Sequence, residues 1–313
     1  MDFLDDLRDS RTTIGKAFLS FVALLLLSFL AILAMSGLVI RGILRPDRTS
    51  GGASVEQILN PPEAVTFVVP GDKTYEGWLF SGLRTAPTII LCHGYGGQRS
   101  DLLTMVNSLR EHQYSVFVFD FRGHGANEGS TTLGPSEAAA VRAVIEELAQ
   151  RHDLDGTRFG IWGTDLGGYA AFVAAASDPR VKAVAVDSVY DEPSQFVSLQ
   201  IQRTGLGSVP LVGPFTRLAY RLMNWSSRNE PPLSDRLATM NQVAKLFIQG
   251  RDNPVLADAT LQLFLKAPEP RAQAVFPRTG YSTMPDTEKR DYEREVLNFF
   301  ITNLPAAAPP PAR

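Results

Sequence analysis

Apolar and polar positions divide the chain into two unlike parts. Between Lys16 and Arg41, residues 17–40 carry no charge and are mostly apolar. As a helix rising about 1.5 Å per residue, that run exceeds the ~30 Å of bilayer hydrocarbon. The apolar stretch of a cleaved signal peptide spans only about 7–15 residues. Despite a small-residue pattern at Ala34-Met35-Ser36, the run therefore predicts an uncleaved single-pass anchor, preceded by a tail over 1–16. Arg8, Arg11 and Lys16 lie before it and Arg41, Arg45 and Arg48 after it. The basic count is tied, so orientation stays open, and the short N-terminal tail slightly favours an extracytoplasmic domain.

Beyond the span the hydrophobic period changes. Short apolar or alternating runs at 64–69, 77–80, 88–92, 115–119, 158–162, 181–186, 244–249 and 272–276 predict strands. Helical patterns at 101–112, 136–152, 166–176, 257–266 and 287–304 separate most of them. Such alternation predicts an α/β class, with a mostly parallel eight-stranded sheet covered by helices on both faces. The first two strands have no helix between them and predict an edge hairpin. Residues 191–236 interrupt the alternation. There Phe215, Leu218, Leu222 and Trp225 share one helical face, and Pro214 suits the first turn. That segment reads equally as a small helical lid over a pocket or as an ordinary packed helix. The expected layout is an anchor at 17–40, a linker at 41–59, one domain over 60–304 and a Pro/Ala tail at 305–313.

Composition narrows the partners. Of 313 residues, 44% are hydrophobic and 20% charged, a globular balance that excludes wholesale disorder. Thirty basic against 33 acidic residues give a net charge of -3, so nucleic acid is not expected as a partner. Cys92 is the one cysteine, which excludes an intrachain disulfide and a cysteine zinc cluster. No His/Cys/Asp/Glu group has ligand spacing, so neither a metal nor another cofactor is expected. The four histidines are His93, His112, His124 and His152, with none later in the chain.

Four segments carry candidate chemistry. His93-Gly94-Tyr95-Gly96-Gly97 follows one buried strand, and Asp120-Phe121-Arg122-Gly123-His124-Gly125 follows the next. Gly163-Thr164-Asp165-Leu166-Gly167-Gly168 is a strand-to-helix turn, and Gly250-Arg251-Asp252-Asn253-Pro254-Val255 follows the seventh strand. The glycines around 165 permit a turn tight enough to project that residue from the sheet. The N–H groups of Tyr95 and Leu166 then converge as an oxyanion hole. Asp165 also stands at a helix N-terminus, where a carboxylate serves equally as a solvated cap.

These segments, in this order, resemble the α/β-hydrolase superfamily over residues 60–304. They are most similar to its membrane-anchored serine aminopeptidase-like and acyl-hydrolase groups. The resemblance implies a nucleophile at 165, a triad acid at Asp252, an oxyanion hole at Tyr95 and Leu166, and a histidine after the last strand. The chain departs at two of three triad positions. The turn presents Asp165 in place of serine, and the last loop reads Arg278-Thr279-Gly280-Tyr281-Ser282-Thr283, with Tyr281 where the histidine belongs.

Dehalogenase and epoxide-hydrolase branches resemble this chain in placing an aspartate at the turn. Their carboxylate attacks an alkyl carbon, and a histidine-activated water hydrolyses the resulting ester. Here the histidine is missing, and Leu166 stands where those branches usually carry tryptophan. A tyrosine of ordinary pKa, about 10, is a poor base at neutral pH. His93 and His124 belong to motifs whose family role is structural, and His112 and His152 fall at helix ends. Two carboxylates facing the vacated gap predict that one is protonated, bonded to the Tyr281 hydroxyl, or neutralised by Arg278.

The expectation is a membrane-tethered protein with a degenerate triad that binds an acyl or lipid-like hydrophobic ligand, or a partner, without turnover. An active hydrolase of an ester, amide or related bond, using Asp165 with an unconventional base, is the alternative. A scaffold with a filled pocket and a binding lid surface is a third.

Overall fold

Eight apolar runs join in one sheet in the computed structural model, which describes residues 2–48 and 61–306. The strands are β1 (Glu63–Val68), β2 (Thr74–Phe80), β3 (Thr88–Cys92), β4 (Ser115–Phe119), β5 (Phe159–Thr164), β6 (Val181–Asp187), β7 (Ala244–Gly250) and β8 (Arg271–Phe276). Their spatial order is β1-β2-β4-β3-β5-β6-β7-β8. The β1–β2 hairpin and the β2–β4 pair are antiparallel, and every later pair is parallel. All the expected strands are present, and the edge hairpin falls where the sequence predicts it.

Alternation along each strand sends residues to two helical layers. Leu91, Val118, Trp162, Ala185 and Leu246 share an apolar cluster with α2 (Leu103–Glu111) and α9 (Asp286–Asn303). The intervening residues, such as Ile90, Phe117 and Ile161, are equally buried on the face of α3 (Pro135–Ala149) and α4 (Leu166–Ser177). With both faces covered, β3, β4 and β5 are buried along their whole length. The helix expected over 101–112 starts late. Asp101 Oδ2 accepts the Gln98 N–H at 3.0 Å, and a short 3-10 turn, Arg99–Leu102, precedes α2. The helix expected to reach 152 stops at Ala149, and Arg151 beyond it pairs with Glu63 and Asp153, each at 2.7 Å.

The chain forms two compact units. One holds the sheet, with Leu44–Phe196 and the chain from Ser226 on. The other joins the first helix, α1 (Asp2–Leu44), through Ile43, to Val197–Trp225. Between β6 and β7 lie α5 (Pro193–Arg203), α6 (Val212–Met223) and α7 (Leu233–Arg236), and α8 (Pro254–Lys266) follows β7. Most of the segment read as a lid therefore belongs to the unit of α1. Phe215 meets Phe29 edge-on at 5.7 Å. Ser36 Oγ bonds back to the Ile32 carbonyl at 2.8 Å and reaches the Val212 carbonyl at 3.3 Å.

Helix α1 extends past both ends of the predicted 17–40 run, so the expected tail is helical from Asp2 and the expected linker is helical to Leu44. Its stretch Ile14–Leu44, which contains 18 residues of mean hydropathy 2.7, is long and apolar enough to cross a membrane by length and composition. The Gly/Ser part of the linker beyond Arg48 and the Pro/Ala tail beyond Ala306 lie outside the described residues.

Candidate functional site

The strand-to-helix turn is built by close backbone approach. A Cβ on Gly163 would come within 2.4 Å of the Gly167 carbonyl carbon, and one on Gly167 within 2.3 Å of the Cys92 carbonyl oxygen. Only glycine lets α4 start this near the ends of β3 and β5. Asp165 at the tip has φ 39° and ψ -102°, a conformation that side-chain-bearing residues rarely adopt. Its N–H bonds the Asp187 carbonyl at 2.8 Å, which ties the turn to the end of β6. Strained backbone of this kind persists where the surroundings over-determine it, and such places are commonly functional.

The N–H groups of Tyr95 and Leu166 meet on Asp165 itself. Its Oδ1 accepts the Tyr95 N–H at 2.7 Å and also the N–H of Leu166. The other carboxylate oxygen lies over Gly94, where a Cβ would approach it to 2.8 Å. Gly96, at φ 76°, turns the β3 loop so that Gly97 N–H closes on the Gly94 carbonyl at 3.0 Å. That turn aims the Tyr95 amide at the elbow.

Asp252 is exposed after β7. Its Oδ1 accepts the Thr279 N–H at 2.9 Å and the Thr279 hydroxyl at 3.2 Å. The residue of the last loop that reaches the acid is thus Thr279. Tyr281 goes elsewhere, and the expected bond to the carboxylate pair is replaced by a core anchorage. Gly280, at φ 91°, turns the chain, and the Tyr281 ring is 1% exposed, edge-on to Trp162 at 5.3 Å. Its hydroxyl donates to Glu293 and lies 2.7 Å from Thr104 Oγ1. Burial, reinforced by the Glu293 carboxylate, pushes the phenol well above its ordinary pKa. Arg278, the other expected neutraliser, lies 4.0 Å from Glu288.

A third carboxyl joins the elbow. Asp187 ends β6 fully buried and accepts the Ser188 and Tyr292 hydroxyls, each at 2.9 Å. Burial pushes its pKa up to about 7, the two hydroxyls pull it down, and the charges of Asp165 and Asp252 push it up again. Sequence reading missed Asp187. The available signal was an acid closing an apolar strand at the carboxyl edge of a parallel sheet, where α/β folds gather ligands.

Of the two buried histidines, His93 has both ring nitrogens engaged. His93 Nε2 accepts the Phe121 N–H at 3.0 Å, which leaves Nδ1–H to donate to the Gly94 carbonyl at 2.8 Å. Burial, followed by the nearby His124, lowers its pKa to about 4. His124 is lowered by burial as well, and its Nδ1 faces the Arg122 carbonyl at 3.0 Å. His112 caps the end of α2 and His152 lies three residues beyond the end of α3, both exposed. Among the described residues no cluster of His, Cys, Asp and Glu could hold a metal ion. A cavity of about 360 Å³ lies apart from the elbow, between Asp191, Ser234, Leu256 and Lys266.

Comparison with known proteins places this geometry among relatives. A family model described as the alpha/beta hydrolase fold matches residues 87–219. An uncharacterized 31.7 kDa protein from the traX-finO intergenic region of Escherichia coli is 40% identical over 101 residues. That match covers 31% of this chain and 35% of the relative, about a third of its length. The uncharacterized protein Rv2307c of Mycobacterium tuberculosis is 29% identical over 212 residues, 66% of this chain and 67% of that one. An esterase of Pyrococcus furiosus superposes with a TM-score of 0.65 at 16% identity, over 84% of this chain and 98% of that chain. The esterase domain of a Rhodothermus marinus protein gives 0.55 at 15% identity, over 77% and 99%. At these identities the structural likeness is one of fold.

Proposed function

From the premise that the chain carries the α/β-hydrolase fold, we propose a membrane-tethered protein with a degenerate triad that binds an acyl or lipid-like ligand without turning it over. The observation that carries this reading is the Asp165 carboxylate seated on the Tyr95 and Leu166 amides. In acyl transfer those two donors must receive the oxygen that gains charge in the transition state. Here a carboxylate oxygen already accepts both, so an incoming carbonyl meets an occupied hole and a like charge.

The proton-transfer side supports the same reading. A general base must sit within hydrogen-bond reach of the proton it takes. Tyr281 is held in the core by Glu293 and Thr104, Asp252 is bonded to Thr279, and the His93 lone pair is used by Phe121. The apolar length of α1 supports the tether. The esterase names of the structural neighbours are the ground for expecting an acyl-like ligand.

One observation favours the active alternative. A carboxylate anchored through Oδ1 is oriented for attack by its other oxygen on an alkyl carbon, with loss of the leaving group and formation of an ester. Without a base to hydrolyse it, that ester would accumulate. The full chain in detergent should therefore show no turnover of esters of graded acyl length, and no mass increase after incubation with alkyl halides or epoxides. Turnover that disappears in Asp165→Asn would overturn the proposal, and a stable adduct on Asp165 would replace it with the covalent reading.

A further inference from the structure

Helix α6 is inside out for a helix in water. Its buried side chains are Val212, Gly213, Thr216 and Tyr220. Its large apolar residues face outward: Leu218 is 49% exposed and Leu222 59%, with Leu211, Met223 and Trp225 beside them at similar exposure. An amphipathic helix normally buries its leucines. This one buries a glycine and a threonine, and presents a leucine stripe that runs on into the only strongly exposed tryptophan among the described residues.

The level of that stripe can be read from α1, within the same unit. The large apolar side chains of α1 are exposed from Ile14 through Leu33. At about 1.5 Å per residue that stretch is about 30 Å long, which equals the hydrocarbon thickness of a bilayer. Past Leu33 one side of the helix is covered, with Ser36, Val39 and Ile40 buried while Leu38 stays exposed. Helix α6 joins α1 at that transition, Phe215 against Phe29 and the Val212 carbonyl at Ser36. Charge follows the same plan. From Pro193 to Asn229 the chain has no acidic residue, and Arg203, Arg217 and Arg221 lie in that stretch. On the helix, Arg217 and Arg221 are one turn apart, beside the leucine stripe.

We propose that α6, with the turn through Trp225, lies in the lipid interface at the C-terminal end of the α1 span, its leucines in the acyl boundary and its arginines on anionic headgroups. Interfacial helices combine these features: an apolar face sunk a few ångströms, basic residues at its edge and an aromatic at headgroup level. Continuity with the span makes lipid the occupant of the stripe. The inference rests on the membrane-anchor reading of α1.

Trp225 supplies the probe, since Trp78 and Trp162 are buried. The full chain is reconstituted in phosphatidylcholine vesicles with and without phosphatidylglycerol, using lipids brominated high or low on the acyl chain, and Trp225→Phe is run in parallel. The expected result is loss of about half or more of the Trp225 emission with shallow bromines, a smaller loss with deep ones, and stronger quenching when phosphatidylglycerol is present. A chain that floats with vesicles and resists alkaline extraction while Trp225 stays unquenched overturns the inference and leaves the anchor standing. A chain extracted by alkali removes the anchor reading itself, and the inference with it. Quenching that ignores phosphatidylglycerol overturns the headgroup assignment, and quenching relieved only by an added soluble protein replaces lipid with a protein partner.

Discussion

Asp165 accepts the backbone N–H of Tyr95 at 2.7 Å, so the residue at the tip of the elbow is bonded directly to the loop after β3. The contact fixes how close the two loops come. A Cβ at Gly94 would lie 2.8 Å from Asp165 Oδ2 and 3.1 Å from Thr164 Cγ2. Gly94→Ala should therefore displace the carboxylate and destabilise the domain by roughly 1–3 kcal/mol. In Asp165→Ser the obstacle is gone, and the same glycine change should cost markedly less. Thermal unfolding of the four variants of this cycle checks it, and additive losses would sever the link between the two residues.

Restoring chemistry should depend on which loop residue is changed. Thr279 touches Asp252, whereas Tyr281 is fastened in the core. Asp165→Ser with Thr279→His should hydrolyse short p-nitrophenyl esters on the order of 100-fold faster than Asp165→Ser alone. Asp165→Ser with Tyr281→His should stay near the single variant and unfold at lower temperature. A reversed order of rates would mean that residue 281 faces the elbow after all.

The Tyr281 hydroxyl is a structural bond to a carboxylate 8% exposed, Glu293, whose other oxygen takes the Ser108 hydroxyl at 3.1 Å. Tyr281→Phe leaves that carboxylate one donor short and should cost about 1.5–3 kcal/mol. Adding Glu293→Gln should return part of the loss. Denaturant unfolding of single and double variants measures it, and ligand binding should not move.

Asp187 makes stability depend on pH. In the unfolded chain it titrates near the ordinary 3.8, and in the fold burial pushes it up to about 7. Between those values the folded state holds the extra proton, so this residue's contribution declines as pH rises from about 4 through about 7. The melting temperature should fall from pH 5 to pH 8. Asp187→Asn, which mimics the neutral acid, should flatten that fall and gain most at pH 8. Parallel pH curves for the two proteins would show that Asp187 is not the group responsible.

Sequence reading recovered what local rules encode and lost what depends on side-chain direction. The elbow was legible because Gly163 and Gly167 mark a backbone approach that no larger residue allows. The eight strands were legible because buried parallel strands are short, continuous apolar runs. Tyr281 was assigned by its place in a loop, yet the left-handed turn at Gly280 sends its ring toward α2 and α9. A turn residue's φ is not written in the spacing of its neighbours. Asp187 went unread because its burial and the approach of two other acids are tertiary facts. The leucine stripe of α6 was visible from its period, but α1, which meets the same helix at Phe215 and Val212, lies too far along the chain for any local pattern to name.

That separation sets a schedule for synthesis. Ser36 and Val212 are 176 residues apart, and a ribosome adding about 5–20 residues per second needs roughly ten to thirty seconds to cover that distance. For that interval the first helix waits without the segment that later joins it. A fragment begun after α1 never acquires that partner, so the Phe215 ring and the Val212 carbonyl are left uncovered. Expression of the full chain, with its helix in lipid or detergent, is therefore expected to give a better-behaved protein than a trimmed soluble piece.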